Sequence, residues 1–131
     1  MTRLLFIIVL IFALISCQTS TQYKNKPPEL VFEKDTVNIG EIPLGDSTTF
    51  RIDVKNAGMD TLEIKNIAFG CGCTVGKIKD KHLGYNQKTV LEVKYVNHGD
   101  INNIYKTVIL ENNSKEPFKI LRLLGTSVKS K

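Results

Sequence analysis

Thr49-Phe50-Arg51-Ile52-Asp53-Val54-Lys55 alternates polar and apolar side chains without a break. A period of two is the spacing of an extended strand, whose successive side chains point to opposite faces. Phe50, Ile52 and Val54 are therefore expected on a core face, and Thr49, Arg51, Asp53 and Lys55 in water. Thr89 to Tyr95 repeats the pattern, with Leu91, Val93 and Tyr95 on one side and Glu92 and Lys94 on the other. Leu30 to Phe32, Val37 to Ile39, Leu62 to Phe69, Ile104 to Leu110 and Phe118 to Leu124 complete a set of about seven short strands. Turn-forming residues separate them: Gly45-Asp46, Asn56-Ala57-Gly58, Gly84-Tyr85-Asn86, His98-Gly99-Asp100 and Asn112-Asn113-Ser114. Within Leu62 to Phe69 the inward set Leu62, Ile64 changes parity to Ile67, Phe69, which predicts a bulge near Lys65-Asn66. No segment of helical period and adequate length remains. The expected fold is all-β: an immunoglobulin-like antiparallel β-sandwich over residues 29–128 with a short tail, 129–131. Trp and the Cys-Trp-Cys spacing of antibody domains are missing.

The chain has 131 residues, enough for one core of ordinary size. Hydrophobic residues make up 42% and charged residues 24%, which excludes collagen-like and wholly disordered classes. Its formal charge of +5 falls to +4 without Arg3. The lysines are scattered singly along the chain and Trp is absent, so no nucleic-acid partner is expected.

Ahead of the sandwich stands an export leader. Arg3 supplies a positive start, and Leu4 to Ile15 then carries no polar side chain. That run is shorter than the roughly 20 residues a spanning helix needs, but it matches the apolar region of a secretory signal peptide, residues 1–16. Leu14-Ile15-Ser16-Cys17 resembles the bacterial lipobox. The resemblance implies cleavage before Cys17 and a diacylglycerol thioether plus an acylated amine on that residue, a covalent lipid anchor. Residues 17–28 are rich in Gln, Thr, Ser, Lys and Pro and read as a flexible tether. By analogy with lipoprotein sorting, Gln18 after the cysteine points to the outer membrane of a Gram-negative cell, and the absence of an acidic run there to its periplasmic face.

With Cys17 assigned to lipid, Cys71 and Cys73 remain, in Phe69-Gly70-Cys71-Gly72-Cys73-Thr74 at a strand end. On a straight strand their Cα atoms stand about 6.6 Å apart with poorly convergent Cβ atoms. A turn at Gly72, with positive φ there, brings the sulfurs together. Such a pair is open to three readings: a disulfide or redox switch, a soft-metal site, or two small apolar side chains under a loop. Two thiolates suffice for linear Cu(I), whereas tetrahedral zinc needs four donors, and only His82 and His98 are available to add to them, His82, nine positions past Cys73, being the metal candidate taken with Cys71 and Cys73. Gly70, Gly72 and Gly76 do not have phosphate-loop spacing, and no Gly-x-Ser-x-Gly elbow or His-Glu-x-x-His pair is present.

Asn56-Ala57-Gly58, Leu62-Glu63-Ile64, the Cys-Gly-Cys-Thr element and the closing Leu124-Gly125-Thr126-Ser127-Val128 together resemble the bacterial family called domain of unknown function 1573. The resemblance implies an immunoglobulin-like envelope domain, often lipid-anchored, with no assigned activity. Where that family tends to have a Pro-Gly-Glu turn, this chain has Leu83-Gly84-Tyr85-Asn86. Asp35-Thr36-Val37, Asp46-Ser47-Thr48 and Asp60-Thr61-Leu62 resemble a short O-glycosylation signal of some Gram-negative envelope proteins. The expected function is that of a non-enzymatic envelope lipoprotein, held on the membrane through Cys17, whose sandwich binds an envelope protein or glycan. No cofactor or small-molecule substrate is expected. The competing reading is a thiol-redox or Cu(I)-binding protein acting through Cys71 and Cys73.

Overall fold

The computed structural model describes residues 26–99 and 102–130; the leader, Cys17 and the tether up to residue 25 lie outside them. Nine strands occur among the described residues: β1 Leu30–Phe32, β2 Thr36–Pro43, β3 Ser47–Asn56, β4 Leu62–Phe69, β5 Thr74–Ile78, β6 His82–Leu83, β7 Lys88–Val96, β8 Asn103–Asn112 and β9 Phe118–Val128. They form a four-stranded sheet, β1-β3-β7-β5, and a five-stranded sheet, β2-β9-β8-β4-β6. The all-β, immunoglobulin-like sandwich expected from the alternation is therefore present. Every pairing is antiparallel except that of β2 with β9, which makes the larger sheet mixed.

Alternation places the core as the spacing predicts. Ile52, Val54, Leu91 and Val93 from the first sheet meet Leu62, Ile64, Val108, Leu110, Leu121 and Leu123 from the second, with Phe50, Ile67 and Phe69 packed at the margin. The register of β4 on β8 slips between Ile64 and Asn66, the position where the apolar parity changes. A second irregularity lies between Asn38 and Gly40 in β2, where Gly40 takes φ +76°. That left-handed residue lets the strand continue past Ile39 to Pro43, so β2 is longer than the three residues Val37 to Ile39.

Two strands were not visible as periodic runs. β5 exposes Val75 and buries Thr74, an inversion of the usual polarity, and contains Gly76, where a Cβ would stand 2.6 Å from the Glu92 carbonyl oxygen. β6 has two residues, too few to show a period.

Three asparagines are wholly or nearly buried at strand ends: Asn56, Asn97 and Asn112. Each uses its amide to close a turn. Asn56 Oδ1 accepts from the backbone N–H of Gly58 at 2.9 Å and Glu29 at 3.2 Å. Its Nδ2 donates to the carbonyls of Asp60, Leu83 and Gly84 at 2.8, 2.9 and 3.2 Å. This one side chain thus ties the residues before β1, the β3–β4 loop and the β6–β7 loop together. Composition assigns Lys26–Pro28 to the tether, but they belong to the folded unit. The Lys26 carbonyl accepts from Met59 and Asp60 N–H at 3.0 and 3.2 Å, and Pro28 is buried. Gly58 makes this possible, since a Cβ there would come 2.6 Å from Pro28 Cα and closer still to the Pro27 carbonyl.

Candidate functional site

The chain leaves the five-stranded sheet at Phe69 and joins the four-stranded sheet at Thr74, so Gly70 to Cys73 form the corner between layers. Gly70 N–H donates to the Thr107 carbonyl at 3.0 Å, and the Cys73 carbonyl accepts from Val96 N–H at 2.8 Å, fixing the corner to both sheets. Within it Cys71 and Cys73 are joined by a disulfide with Cα atoms 5.2 Å apart. The turn closes the gap of a straight strand, though not through a left-handed glycine: Gly72 is not among the positive-φ residues, and a Cβ added there meets nothing within 4 Å. The sequence expectation is corrected on that point. A bend spread over the corner suffices.

Cys73 packs on a small apolar cluster made of Ile39, Ile42, Tyr95 and Ile104. The Thr74 hydroxyl lies 3.5 Å from Cys71 Sγ and 3.9 Å from Cys73 Sγ. On the solvent side a shallow depression of about 200 Å³ is lined by Cys73, His98, Gly99 and Lys106. His98 is thus the histidine beside the pair. His82, the weak metal candidate in the sequence, sits on β6 opposite Glu63, at the far end of β4 from the corner. Among the described residues no three His, Cys, Asp or Glu side chains are grouped to hold a metal. In the bridged state neither sulfur is a thiolate, the form that binds Cu(I) or attacks a disulfide. Loop-closure entropy for a ring of three residues amounts to about 1.6 kcal/mol. The bridge therefore shapes the corner more than it stabilises the domain.

The two outer sheet faces differ sharply. On the four-stranded sheet, Arg51, Asp53, Lys55, Lys77, Lys88, Glu92 and Lys94 point outward, so lysines scattered singly in the chain converge on one surface. Glu92 lies 2.8 Å from Arg51 and 3.3 Å from Lys77; hydrogen bonds from these two, Arg51 first, hold its carboxyl below the ordinary value of 4.5. Lys26, 2.6 Å from Glu29, does the same for that carboxyl.

On the five-stranded sheet the outward positions of β8 and β9 pair as rows: Tyr105 with Leu124, Thr107 with Arg122, Ile109 with Ile120, and Glu111 with Phe118. Tyr105 and Phe118 are about 60% exposed (59% and 62%), and Ile120 and Leu124 nearly 40% (38% and 39%). Reading the apolar runs of these strands as core accounts for Val108, Leu110, Leu121 and Leu123 but not for Ile109, Ile120 or Leu124. The missed signal is continuity. Val108-Ile109-Leu110 and Leu123-Leu124 do not alternate, a pattern of strands covered on both faces. The three Asp-Ser/Thr strings place Thr36, Ser47 and Thr61 exposed at the starts of β2, β3 and β4, which suits a turn entering a strand as well as a modification site.

A family model described as protein of unknown function (DUF1573) matches residues 30–127. No curated protein matches the sequence. Among solved structures, a protein of unknown function from Porphyromonas gingivalis W83 superposes with a TM-score of 0.69 at 10% identity, over 83% of this chain and 51% of that one. This chain thus spans about half the length of that relative. The ASH/PapD-like domain 7 of human CEP192 gives 0.65 at 10% identity, over 89% of this chain and 97% of that one. The VesB protease of Vibrio cholerae gives 0.56 at 15% identity, over 75% of this chain and 31% of that one. At such identities the likeness is one of fold.

Proposed function

We propose that this chain, which belongs to the family described as protein of unknown function (DUF1573), is a lipid-anchored envelope protein whose sandwich is a non-enzymatic protein-binding module. The observation that carries the binding role is the outward apolar face of β8 and β9: Tyr105, Ile120, Leu124 and Phe118 lie in register on one surface, whereas the opposite outer face is charged. Contiguous exposed apolar surface rimmed by polar groups is characteristic of an interaction site. Aliphatic Ile109 and Ile120 in a central row, with Leu124 in an end row, suit a protein partner better than a glycan, which asks for ring-stacking aromatics among hydrogen-bonding groups.

The address comes from the leader and from Leu14-Ile15-Ser16-Cys17. The Cys71–Cys73 disulfide supports it, since such bonds persist in oxidising compartments such as the bacterial periplasm. The apolar shell on Cys73 favours a structural bridge over a redox or Cu(I) role. The anchor is the acylated Cys17, and the tether sets the domain beside the periplasmic face of the outer membrane.

Two comparisons test this reading. In a Gram-negative host, Cys17→Ser should move the protein from the membrane fraction to the soluble periplasm. Cross-linking in the intact envelope should give a protein adduct with the wild-type chain and none with Ile120→Glu. Membrane retention of the serine variant refutes the anchor, and adducts that persist with Ile120→Glu refute the binding face.

A further inference from the structure

Resting on the reading of Cys17 as a lipid anchor, we infer that the end of the sandwich where the chain enters it is a docking surface for the zwitterionic phospholipid head groups of the anchoring bilayer. Four segments form that end: Lys26 to Glu29, the β3–β4 loop, the β6–β7 loop and the β8–β9 loop. Asn56 bonds the first three into one piece. Asn113 fastens the fourth to the start of β4, accepting from Glu63 N–H at 2.8 Å and donating to the Thr61 carbonyl at 3.1 Å. The Gly70–Cys73 corner and the turn at Asn97–Gly99 lie at the opposite end.

Length decides which end meets the lipid. The nine residue steps from Cys17 to Lys26 reach about 30–32 Å at full extension and roughly 15–18 Å as a random coil. The eleven residues of β9 run from one end of the sandwich to the other, about 35 Å. Turning the far end to the bilayer would demand the whole tether pulled straight, whereas the near end meets the surface at a coil's ordinary span. The root of the tether is also fixed to this end, since the Lys26 carbonyl accepts from Met59 and Asp60 N–H and Pro28 is buried.

The chemistry of this end matches a head-group layer. Lys26, Lys115 and Lys119 balance Glu29, Asp60 and Glu116, so neither sign prevails. Lys26 pairs with Glu29 and Lys119 with Glu116, while Lys115 has no ion pair among the described residues. Both pairs and Lys115 line a depression of about 330 Å³ between Pro27 and Ser114. There a phosphate can meet the Lys115 ammonium while the amine it carries meets Glu116 or Glu29. Tyr85, 63% exposed on the β6–β7 loop, has the amphipathic ring that settles at head-group level. A domain standing on this end holds its strands away from the bilayer and leaves the β8–β9 face open to a protein partner.

The chain contains no Trp, so a single introduced Trp reports alone. Full-length chains purified from the host membrane, carrying Tyr85→Trp or Asp60→Trp at the near end, Leu44→Trp at the far end or Tyr105→Trp on the β8–β9 face, are inserted into vesicles of phosphatidylethanolamine and phosphatidylcholine that contain a head-group nitroxide lipid. All four positions are exposed, and an unchanged circular dichroism spectrum qualifies each reporter. The expected result is quenching of Tyr85→Trp and Asp60→Trp severalfold stronger than of the other two, and severalfold weaker once Lys115→Glu is added. Near-end quenching that ignores Lys115→Glu reflects the tether alone and overturns docking. Strongest quenching at Leu44→Trp or Tyr105→Trp overturns the orientation, and equal quenching at all four overturns any fixed contact; each of these keeps the anchor. Chains that fail to float with the vesicles overturn the anchor itself.

Discussion

Replacing Asn56 by alanine should cost the domain about 4 kcal/mol. Five hydrogen bonds converge on this fully buried amide. Two of them, from Gly58 N–H and to the Leu83 carbonyl, are themselves buried. The other three lie where water can take the place of the side chain. Leaving one buried backbone group without a partner costs about 1–3 kcal/mol, so the two enclosed orphans alone give about 2–6 kcal/mol. For a domain of this size each 1 kcal/mol lowers Tm by about 4–8 °C, which puts the expected drop at about 16–32 °C. Thermal and urea unfolding of the variant, followed by circular dichroism, measures this directly. Asn66→Ala is the control: Asn66 is exposed, and among the described residues its amide oxygen accepts from the N–H of its neighbour Ile67, so its loss should stay below about 0.5 kcal/mol. A cost for Asn56→Ala below about 1 kcal/mol would refute the account of the three loops as one unit held by this side chain.

Gly58→Ala should detach Lys26–Pro28 from the loop, because the new methyl meets the backbone of Pro27 and Pro28; proteolysis near Lys26 should accelerate, and unchanged cleavage would contradict that packing. Cys71→Ser combined with Cys73→Ser should lower stability by only about 1–2 kcal/mol, as a three-residue ring implies; a loss above about 4 kcal/mol in chemical unfolding would mean the bridge holds more than its corner. Arg51 and Lys77 depress the folded-state value of Glu92, so its stabilising contribution is complete above the ordinary value of 4.5 and disappears as acidification passes the folded value. Glu92→Gln should therefore flatten the acid side of the stability profile and leave the neutral side unsloped, and an NMR titration placing Glu92 at or above 4.5 would contradict the pairing.

The strands that bury one face were legible because a period of two has one structural meaning; β1 and β4 begin and end at the residues where the alternation does. Even the β4 bulge could be read, since a parity change in apolar residues has no other explanation on one strand. What stayed hidden depends on neighbours distant in sequence. Thr74 and Gly76 belong to a strand because β7 offers its backbone, which no local pattern reports. Asn56 and Asn112 look like ordinary turn residues, and nothing local says that their amides are enclosed by other loops. At the candidate site, the sequence located the cysteine pair but coupled it to His82. The sandwich brings His98 beside it instead, because Asn97–Gly99 turns at the same end as the Gly70–Cys73 corner. The outer face of β8 and β9 was concealed by its own chemistry: an exposed apolar side chain and a core one look alike until the register assigns them to opposite faces.

Intact-mass spectrometry of the native protein from its host membrane tests the central claim most directly. The account predicts a chain that begins at Cys17 and carries a diacylglycerol and an amide-linked acyl group, with residues 1–16 gone. A native chain that keeps Met1 to Ser16, or one that begins elsewhere without lipid, would contradict it.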